Sequence, residues 1–388
     1  MRLSERAAGL ETSLTRELFG RAKQYEDVID LTLGDPDLMP SALIREAACE
    51  AIRQGKTRYS VNAGLPEARR AVAACFAEEY GFSPDPEKEV MLTIGGMGGL
   101  YLSLAALVNP GDEVLVLGPY YVNYIQMIKL CGGVPRILYG REEDGFVVKR
   151  EALEEAVTPK TVAMLVNSPS NPAGVVLEKE VLEDYAAFAG AHNLFVISDE
   201  VYQTLLYDGR KPVSIVNCPG MRERCVVIES MSKRFAMTGY RCGFAVGPEP
   251  LIAAMTKMQE NVASCTPLPS QYAAVCAYTR CREDHFIREE FEKRRDYIYR
   301  AVNEIPGLTA LKPAGTFYLF VNIKESGMDS VSFAYRLLEA EHLAIVPGVT
   351  YGEAYGHYIR IAFTLPVETL KEAVRRLSRF MAELKREV

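Results

Sequence analysis

Tryptophan is absent from this 388-residue chain, and histidine is nearly so, with only His192, His285, His342 and His357. None of the four stands at metal-ligand spacing, so neither a zinc site nor a histidine-based hydrolase is expected. The nine cysteines are scattered, odd in number and never form a Cys-x-x-Cys pair. That usage points to reduced thiols and a cytoplasmic setting, not to a disulfide framework. No apolar run approaches the ~18 residues that span a bilayer. The N-terminus is a mixed-charge segment rather than an apolar signal core, so no membrane is expected. Lysine and arginine total 44 against 51 acidic residues, a net charge of -7, which gives no footprint for nucleic acid. There is also no Gly-x-Gly-x-x-Gly, no Gly-Lys-Ser/Thr, no repeat period and no low-complexity tract.

What is present is an ordinary globular balance, 48% hydrophobic and 24% charged, over a length sufficient for two domains. From residue 90 to 246, apolar and β-branched runs recur at 90–94, 113–117, 134–138, 162–166, 194–198, 226–228 and 243–246. Helical patterns at 98–108, 121–130 and 178–191 separate several of them. Strands buried on both faces and joined by helices predict an α/β fold with a mostly parallel central sheet. After Pro248 the chain reads as helices at 249–262, 268–281 and 284–304. Strands at 316–323, 344–346 and 358–363 then alternate with helices at 330–341 and 367–386. This last part is a smaller α+β unit. Residues 1–45 are expected to be an N-terminal arm that joins the small domain, 46–285 the large domain, and 286–388 the small one. Ile29 to Asp37 reads as a strand stopped by Gly34 and Pro36, Ser41 as a helix cap and Pro66 as a first-turn proline.

In open α/β sheets, ligands sit at the carboxyl ends of strands, so the residues following each apolar run carry the chemical information. After the run at 90–94 comes Gly95-Gly-Met-Gly-Gly99 opening a helix, a cradle of free N–H groups for phosphate. By itself this is an ordinary glycine-rich turn. After 162–166 comes Asn167-Ser-Pro-Ser-Asn-Pro-Ala-Gly174, whose two X-Pro steps could aim the Asn171 amide or simply make a turn. After 194–198 come Asp199, Glu200, Val201 and Tyr202. Asp199 is either a helix cap or a buried carboxylate in need of a positive partner. After 226–228 come Ser230, Ser232, Lys233 and Arg241, with Gly239 permitting a tight turn. Desolvation at that strand end would lower the Lys233 pKa and favour the neutral nucleophile that forms Schiff bases. A lysine amine, a carboxylate, a phenol, an amide, hydroxyls, an arginine and a glycine-rich helix start form the inventory that pyridoxal 5'-phosphate requires.

On those motifs, together with Leu31-Thr-Leu-Gly-Asp-Pro-Asp37 and Tyr358-Ile-Arg-Ile-Ala-Phe363, the chain resembles a class I pyridoxal-phosphate-dependent aminotransferase of the aspartate aminotransferase fold, over nearly its whole length. The resemblance implies that Lys233 holds the cofactor as a Schiff base and shuttles a proton, and that Asp199 keeps the pyridine nitrogen protonated. It implies that Tyr202 and Asn171 hydrogen-bond the O3′ oxygen, while Gly95, Gly96, Met97, Ser230, Ser232 and Arg241 hold the phosphate. Tyr121 falls where the family stacks an aromatic ring on the cofactor. Tyr59 falls where a tyrosine reaches the neighbouring subunit's phosphate, which implies a homodimer with shared sites. Arg360 matches the clamp for the substrate α-carboxylate, and Gly34, Tyr121 and Asn171 lie against the substrate. Ordinary packing is the alternative for Tyr59 and Tyr121, and a solvated outward position for Arg360. The implied substrates are an L-amino acid and a 2-oxo acid in a ping-pong cycle, 2-oxoglutarate being the family's example.

This sequence departs from aspartate-preferring relatives in having Met97 where some carry lysine and Tyr121 where many carry tryptophan. Met97 cannot pair with a side-chain carboxylate, so a neutral, bulky or sulfur-containing amino acid fits at least as well. Carbon–sulfur β-lyases and aminocyclopropane-carboxylate synthases share the fold and most site residues, and remain open as alternatives. A non-catalytic regulator is remote, because the segment before residue 29 is too short for a DNA-binding module.

Overall fold

The computed structural model describes residues 3–10, 14–282 and 285–387. Its strands, in chain order, are β1 (Ile29–Asp30), β2 (Val90–Thr93), β3 (Glu113–Gly118), β4 (Val134–Tyr139), β5 (Thr161–Asn167), β6 (Phe195–Asp199) and β7 (Cys225–Ser230). They continue with β8 (Gly243–Val246), β9 (Thr309–Ala310), β10 (Tyr318–Asn322), β11 (Leu343–Ala344), β12 (Val346–Pro347) and β13 (Tyr358–Ala362).

Seven strands make one sheet in the order β2-β8-β7-β6-β5-β3-β4. Only β8 runs against its neighbours, pairing antiparallel with both β2 and β7. Each of the seven apolar runs is found as a strand, and the mostly parallel α/β sheet stands as expected. The central strands are buried on both faces, as a sheet covered by helices on two sides requires. The helix Pro66–Tyr80 begins on its proline and ends at Gly81, whose φ of 75° supplies the left-handed stop.

A separate antiparallel sheet has the order β12-β13-β10-β9, and β1 pairs with β11 in a two-stranded parallel ladder. Leu18, Ala22, Ile29 and Leu31 from the N-terminal segment pack in one core with Leu343, Ala344, Leu377 and Phe380.

Local details differ from expectation. The single strand expected at 344–346 divides at Ile345, because β11 pairs with β1 whereas β12 pairs with β13. Ser41 precedes the helix Ala42–Arg53 but makes no capping bond; its Oγ lies 3.7 Å from the Cys281 thiol. Residue 45 falls inside that continuous helix. The helix expected from Asp284 is seen as Phe286–Asn303, and Asp284 itself lies outside the described residues. Gly239 lies in the tight turn Thr238–Tyr240, as read, and the left-handed residue that ends it is Arg241, at φ 52°.

Candidate active site

Reversal of β8 is what assembles one end of the site. The carboxyl ends of β2 and β7 flank the start of β8, with Thr93 and Ser230 both opposite Gly243. Arg241 therefore arrives beside the glycine-rich start of the helix Gly95–Leu107. A Cβ on Gly95 would lie 2.7 Å from Arg241 Nη2, and one on Gly96 3.1 Å from a Val201 methyl and 3.6 Å from Ser230 Cβ. Ser230 Oγ donates to Ser232 Oγ at 2.9 Å and accepts the Ser232 N–H at 3.2 Å. Exposed Arg241 anchors itself by donating to Thr238 O at 2.7 Å. Free helix N–H groups, two hydroxyls and a guanidinium thus line a concavity with the chemistry of a phosphate site.

Two strands along, Asn167 and Asp199 end β5 and β6 abreast. Asn167 Nδ2 donates to the Asp199 carbonyl at 2.9 Å, and Asn167 Oδ1 accepts the Asn171 N–H at 2.9 Å, which fixes the loop that carries Asn171. Asp199 is 3% exposed. Tyr124 Oη donates to Asp199 Oδ2 at 2.6 Å, and the Val201 N–H donates to Oδ1 at 3.3 Å. Burial lifts the Asp199 pKa to about 6, against the pull of these two donors. Among the described residues no cation pairs with it.

Lys233, in the short helix Met231–Arg234 after β7, has its amine bonded to Gly34 O at 2.6 Å. Burial lowers its pKa to about 8; Asp35 opposes the shift, while Arg241 and Arg360 add to it. Gly34 is brought there by the segment following β1.

Arg360, on β13, is 4% exposed, so an outward, solvated position is excluded. Its Nη1 donates to Asn171 Oδ1 at 3.2 Å and its Nη2 to Thr32 O, while Nε is buried without a partner. The guanidinium lies over Tyr318 at 4.4 Å and near Tyr351 at 5.3 Å from the ring centroids. No carboxylate among the described residues compensates its charge.

Tyr202 is buried, and its hydroxyl shares a 3.1 Å hydrogen bond with that of Tyr318. Tyr121 precedes the helix Asn123–Leu130 and accepts a 2.9 Å bond from Asn123 Nδ2, which also contacts Met97 Sδ at 3.7 Å. Burial raises the Tyr121 pKa to about 12; Tyr318 and Asp199 push it up, and Arg360 and Arg16 pull it down. Tyr59 alone stands apart, 85% exposed on this chain. Tyr124 and Tyr318 had not been singled out from the sequence. Tyr124 lies three positions after Tyr121 within the helical pattern read at 121–130, a usable signal even though the helix itself begins only at Asn123. For Tyr318, inside an apolar strand, no local signal exists.

The family model for aminotransferase class I and II matches residues 26–377. The chain belongs to that family. It is 38% identical to aromatic-amino-acid aminotransferase 2 of Thermococcus litoralis, over 99% of this chain and 100% of the relative. It is 39% identical to the aspartate aminotransferase of Pyrococcus abyssi, with the same coverage. The crystal structure of Pyrococcus protein-A1 superposes with a TM-score of 0.96 at 38% identity, covering 99% of this chain and 100% of that one. This aminotransferase is therefore a pyridoxal-phosphate-dependent enzyme of the aspartate aminotransferase fold, and the β-lyase, synthase and regulator alternatives are not favoured. Its own residues fit the cofactor: a buried carboxylate without a cation partner suits a pyridinium nitrogen, a half-buried amine of lowered pKa suits an aldehyde, and the Gly95 cradle suits a phosphate.

Proposed function

We propose that Lys233 carries the cofactor and moves the proton at the substrate α-carbon, with Asp199 as partner of the cofactor's ring nitrogen and Arg360 as clamp of the substrate α-carboxylate. The observation that carries this reading is the convergence of two buried charges without an ion-pair partner among the described residues, Asp199 and Arg360, with the half-buried amine of Lys233, whose only hydrogen bond is to the Gly34 carbonyl. Isolated buried charges are costly, and a ligand bearing complementary groups offsets that cost. Bound pyridoxal 5'-phosphate supplies a sink for the electrons left when a bond at the substrate α-carbon breaks.

The other assignments rest on resemblance joined to placement. Tyr202 and Asn171 hold the cofactor's O3′ oxygen, with Tyr318 behind Tyr202. The N–H groups of Gly95, Gly96 and Met97, the Ser230 and Ser232 hydroxyls and the Arg241 guanidinium hold the phosphate. Tyr121 lies against the cofactor ring. Tyr59, exposed here, reaches the phosphate of a neighbouring subunit in a homodimer. The small domain comprises the segment before residue 45 together with residues from 286 on, and it carries Gly34 and Arg360 to the large domain's Lys233. The amino donor is an L-amino acid with a neutral, bulky side chain, because Met97, Tyr121 and Asn123 present a thioether, a phenol and an amide. The acceptor is a 2-oxo acid, and the setting is cytoplasmic amino acid metabolism; among the described residues no helix is long and apolar enough to cross a membrane.

Borohydride reduction of the holoenzyme followed by peptide mass spectrometry tests the central assignment. The cofactor mass is expected on Lys233. Lys233→Ala should keep cofactor non-covalently yet lose turnover, and a Lys233→Ala enzyme with normal turnover would overturn the reading.

A further inference from the structure

Among the described residues the Asp199 carboxylate has only two donors, the Val201 N–H and the Tyr124 hydroxyl, and the second is the shorter bond, at 2.6 Å. Tyr124 is itself buried on the helix Asn123–Leu130, with its ring edge-on to Tyr121 at 5.5 Å. Among the described residues that hydroxyl has no other acceptor, and it is aimed at the one oxygen of Asp199 that no backbone group serves. Hydrogen bonds to the ionised form are what keep a carboxylate charged where burial opposes it.

We infer that Tyr124 is a positioning residue: its hydroxyl keeps Asp199 ionised and fixes its orientation before the cofactor arrives. The pyridine nitrogen then meets a charged carboxylate instead of a neutral acid. This rests on the proposed role of Asp199.

The groups around Asp199 make its charge a local matter. Tyr121 on one side and Tyr202 on the other have pKa values raised by burial, so both stay neutral. Lys233 reaches the site from the neighbouring strand end. Glu200, the adjacent residue, is turned to a separate set of donors: Ser198 at 2.8 Å, Tyr80 at 3.0 Å, Gln203 at 3.0 Å and Ser214. Burial raises its pKa to about 7, close to that of Asp199, so a pH profile alone would not separate the two carboxyls.

The test measures pyridoxal-phosphate affinity of apoprotein against pH in the wild type, Tyr124→Phe, Asp199→Asn and the double variant. Tyr124→Phe should weaken binding about tenfold at neutral pH, the cost of a lost bond to a buried charge. It should also move the acid loss of affinity to higher pH, because Asp199 would protonate sooner. In the Asp199→Asn background, Tyr124→Phe should change affinity less than about twofold, since coupled residues are not additive. 3-Fluorotyrosine at position 124 keeps the shape and sharpens the donor, so it should move the acid limb to lower pH. The ligand's own titration is common to all these forms and cancels. An equal Tyr124→Phe effect with and without the Asp199 carboxylate, or a fluorotyrosine form with an unmoved acid limb, overturns the inference alone. A near-wild-type affinity in Asp199→Asn overturns the proposed role of Asp199 and the inference with it.

Discussion

Gly34 and Tyr318 fit together only because residue 34 has no side chain. A Cβ there would overlap the Tyr318 hydroxyl and lie 2.8 Å from its Cζ. The same Tyr318 hydroxyl bonds Tyr202 at 3.1 Å, and the Gly34 carbonyl accepts the Lys233 amine at 2.6 Å. A Gly34→Ala substitution must therefore displace either the tyrosine pair or the lysine. Overpacking of this kind costs roughly 1–3 kcal/mol, so kcat/KM should fall about tenfold or more. Tyr318→Phe in the same chain should return part of the loss and not all of it, because the ring carbon stays close. Steady-state kinetics of the two single variants and the double variant check this, and strictly additive losses would show that the two residues do not meet.

The pH dependence of cofactor uptake follows from Lys233. Its pKa is lowered by burial to about 8, so the amine is protonated below that pH and free above it. Only the free amine attacks an aldehyde. The rate of covalent attachment to apoprotein should rise through the neutral range and level off above about pH 8. Rapid-mixing absorbance measurements can follow it. A rate still rising steeply at pH values near the ordinary lysine range would show that the amine is not desolvated.

What could be read from the sequence divides along physical lines. The seven strands of the large sheet were legible because strands buried on both faces are unbroken apolar runs. The strand-end placement of Lys233, Asp199 and the loop carrying Asn171 was legible because it follows from the order of the apolar runs, whatever the helices between them do. The split at Ile345 was not, since β11 and β12 choose partners over 300 residues apart in one case and 14 in the other (Ile29 with Leu343; Val346 with Arg360). Local pattern carries no information on such pairings. Tyr318 was hidden for the same reason, because only the meeting of two sheets brings its hydroxyl to Tyr202. The tight turn read at Gly239 is there, as the single turn Thr238–Tyr240, but the left-handed residue that follows it is Arg241, which no local pattern announces.

Next to Lys233 lies a second charged cluster, whose expected contribution is to stability. Arg234 is buried, donates through Nη1 to Glu79 at 2.9 Å and through Nη2 to its other oxygen, and lies 3.9 Å from buried Glu229. Burial lifts the Glu229 pKa to about 8, while Arg234 holds it down. Arg234→Ala leaves buried Glu229 and half-buried Glu79 without their cation, a change that typically costs about 3–5 kcal/mol. The melting temperature should fall by on the order of 5–10 °C. A raised folded-state pKa means that the native state holds its proton where the unfolded state has lost it, so stability falls as pH rises between the two values. Without Arg234 that pKa moves further up, so the deficit should be larger at pH 9 than at pH 6. Melts of the two proteins at both pH values check the sign.

Arg16 offers a charge for choosing the second substrate. It stands on the helix Leu14–Ala22, which Leu18 and Ala22 anchor in the core with Leu343 and Ala344. It is exposed, has no carboxylate partner among the described residues, and is close enough to lower the Tyr121 pKa. The other cation acting on Tyr121, Arg360, is already committed to Asn171 and Thr32. Met97 and Asn123 are neutral, so Arg16 is the group that would favour a distal carboxylate. Arg16→Ala should raise KM for a dicarboxylic oxo acid such as 2-oxoglutarate by about threefold to tenfold, the range of a partly screened charge contact. KM for a bulky neutral oxo acid should change less than about twofold, since no charge is lost to it. The wild-type preference should also weaken as salt is added, because an exposed charge is screened over about 10 Å at 0.1 M. Equal shifts for both acceptors, or a preference insensitive to salt, would assign the choice of acceptor to the shape of the pocket around Tyr121 and Met97 instead.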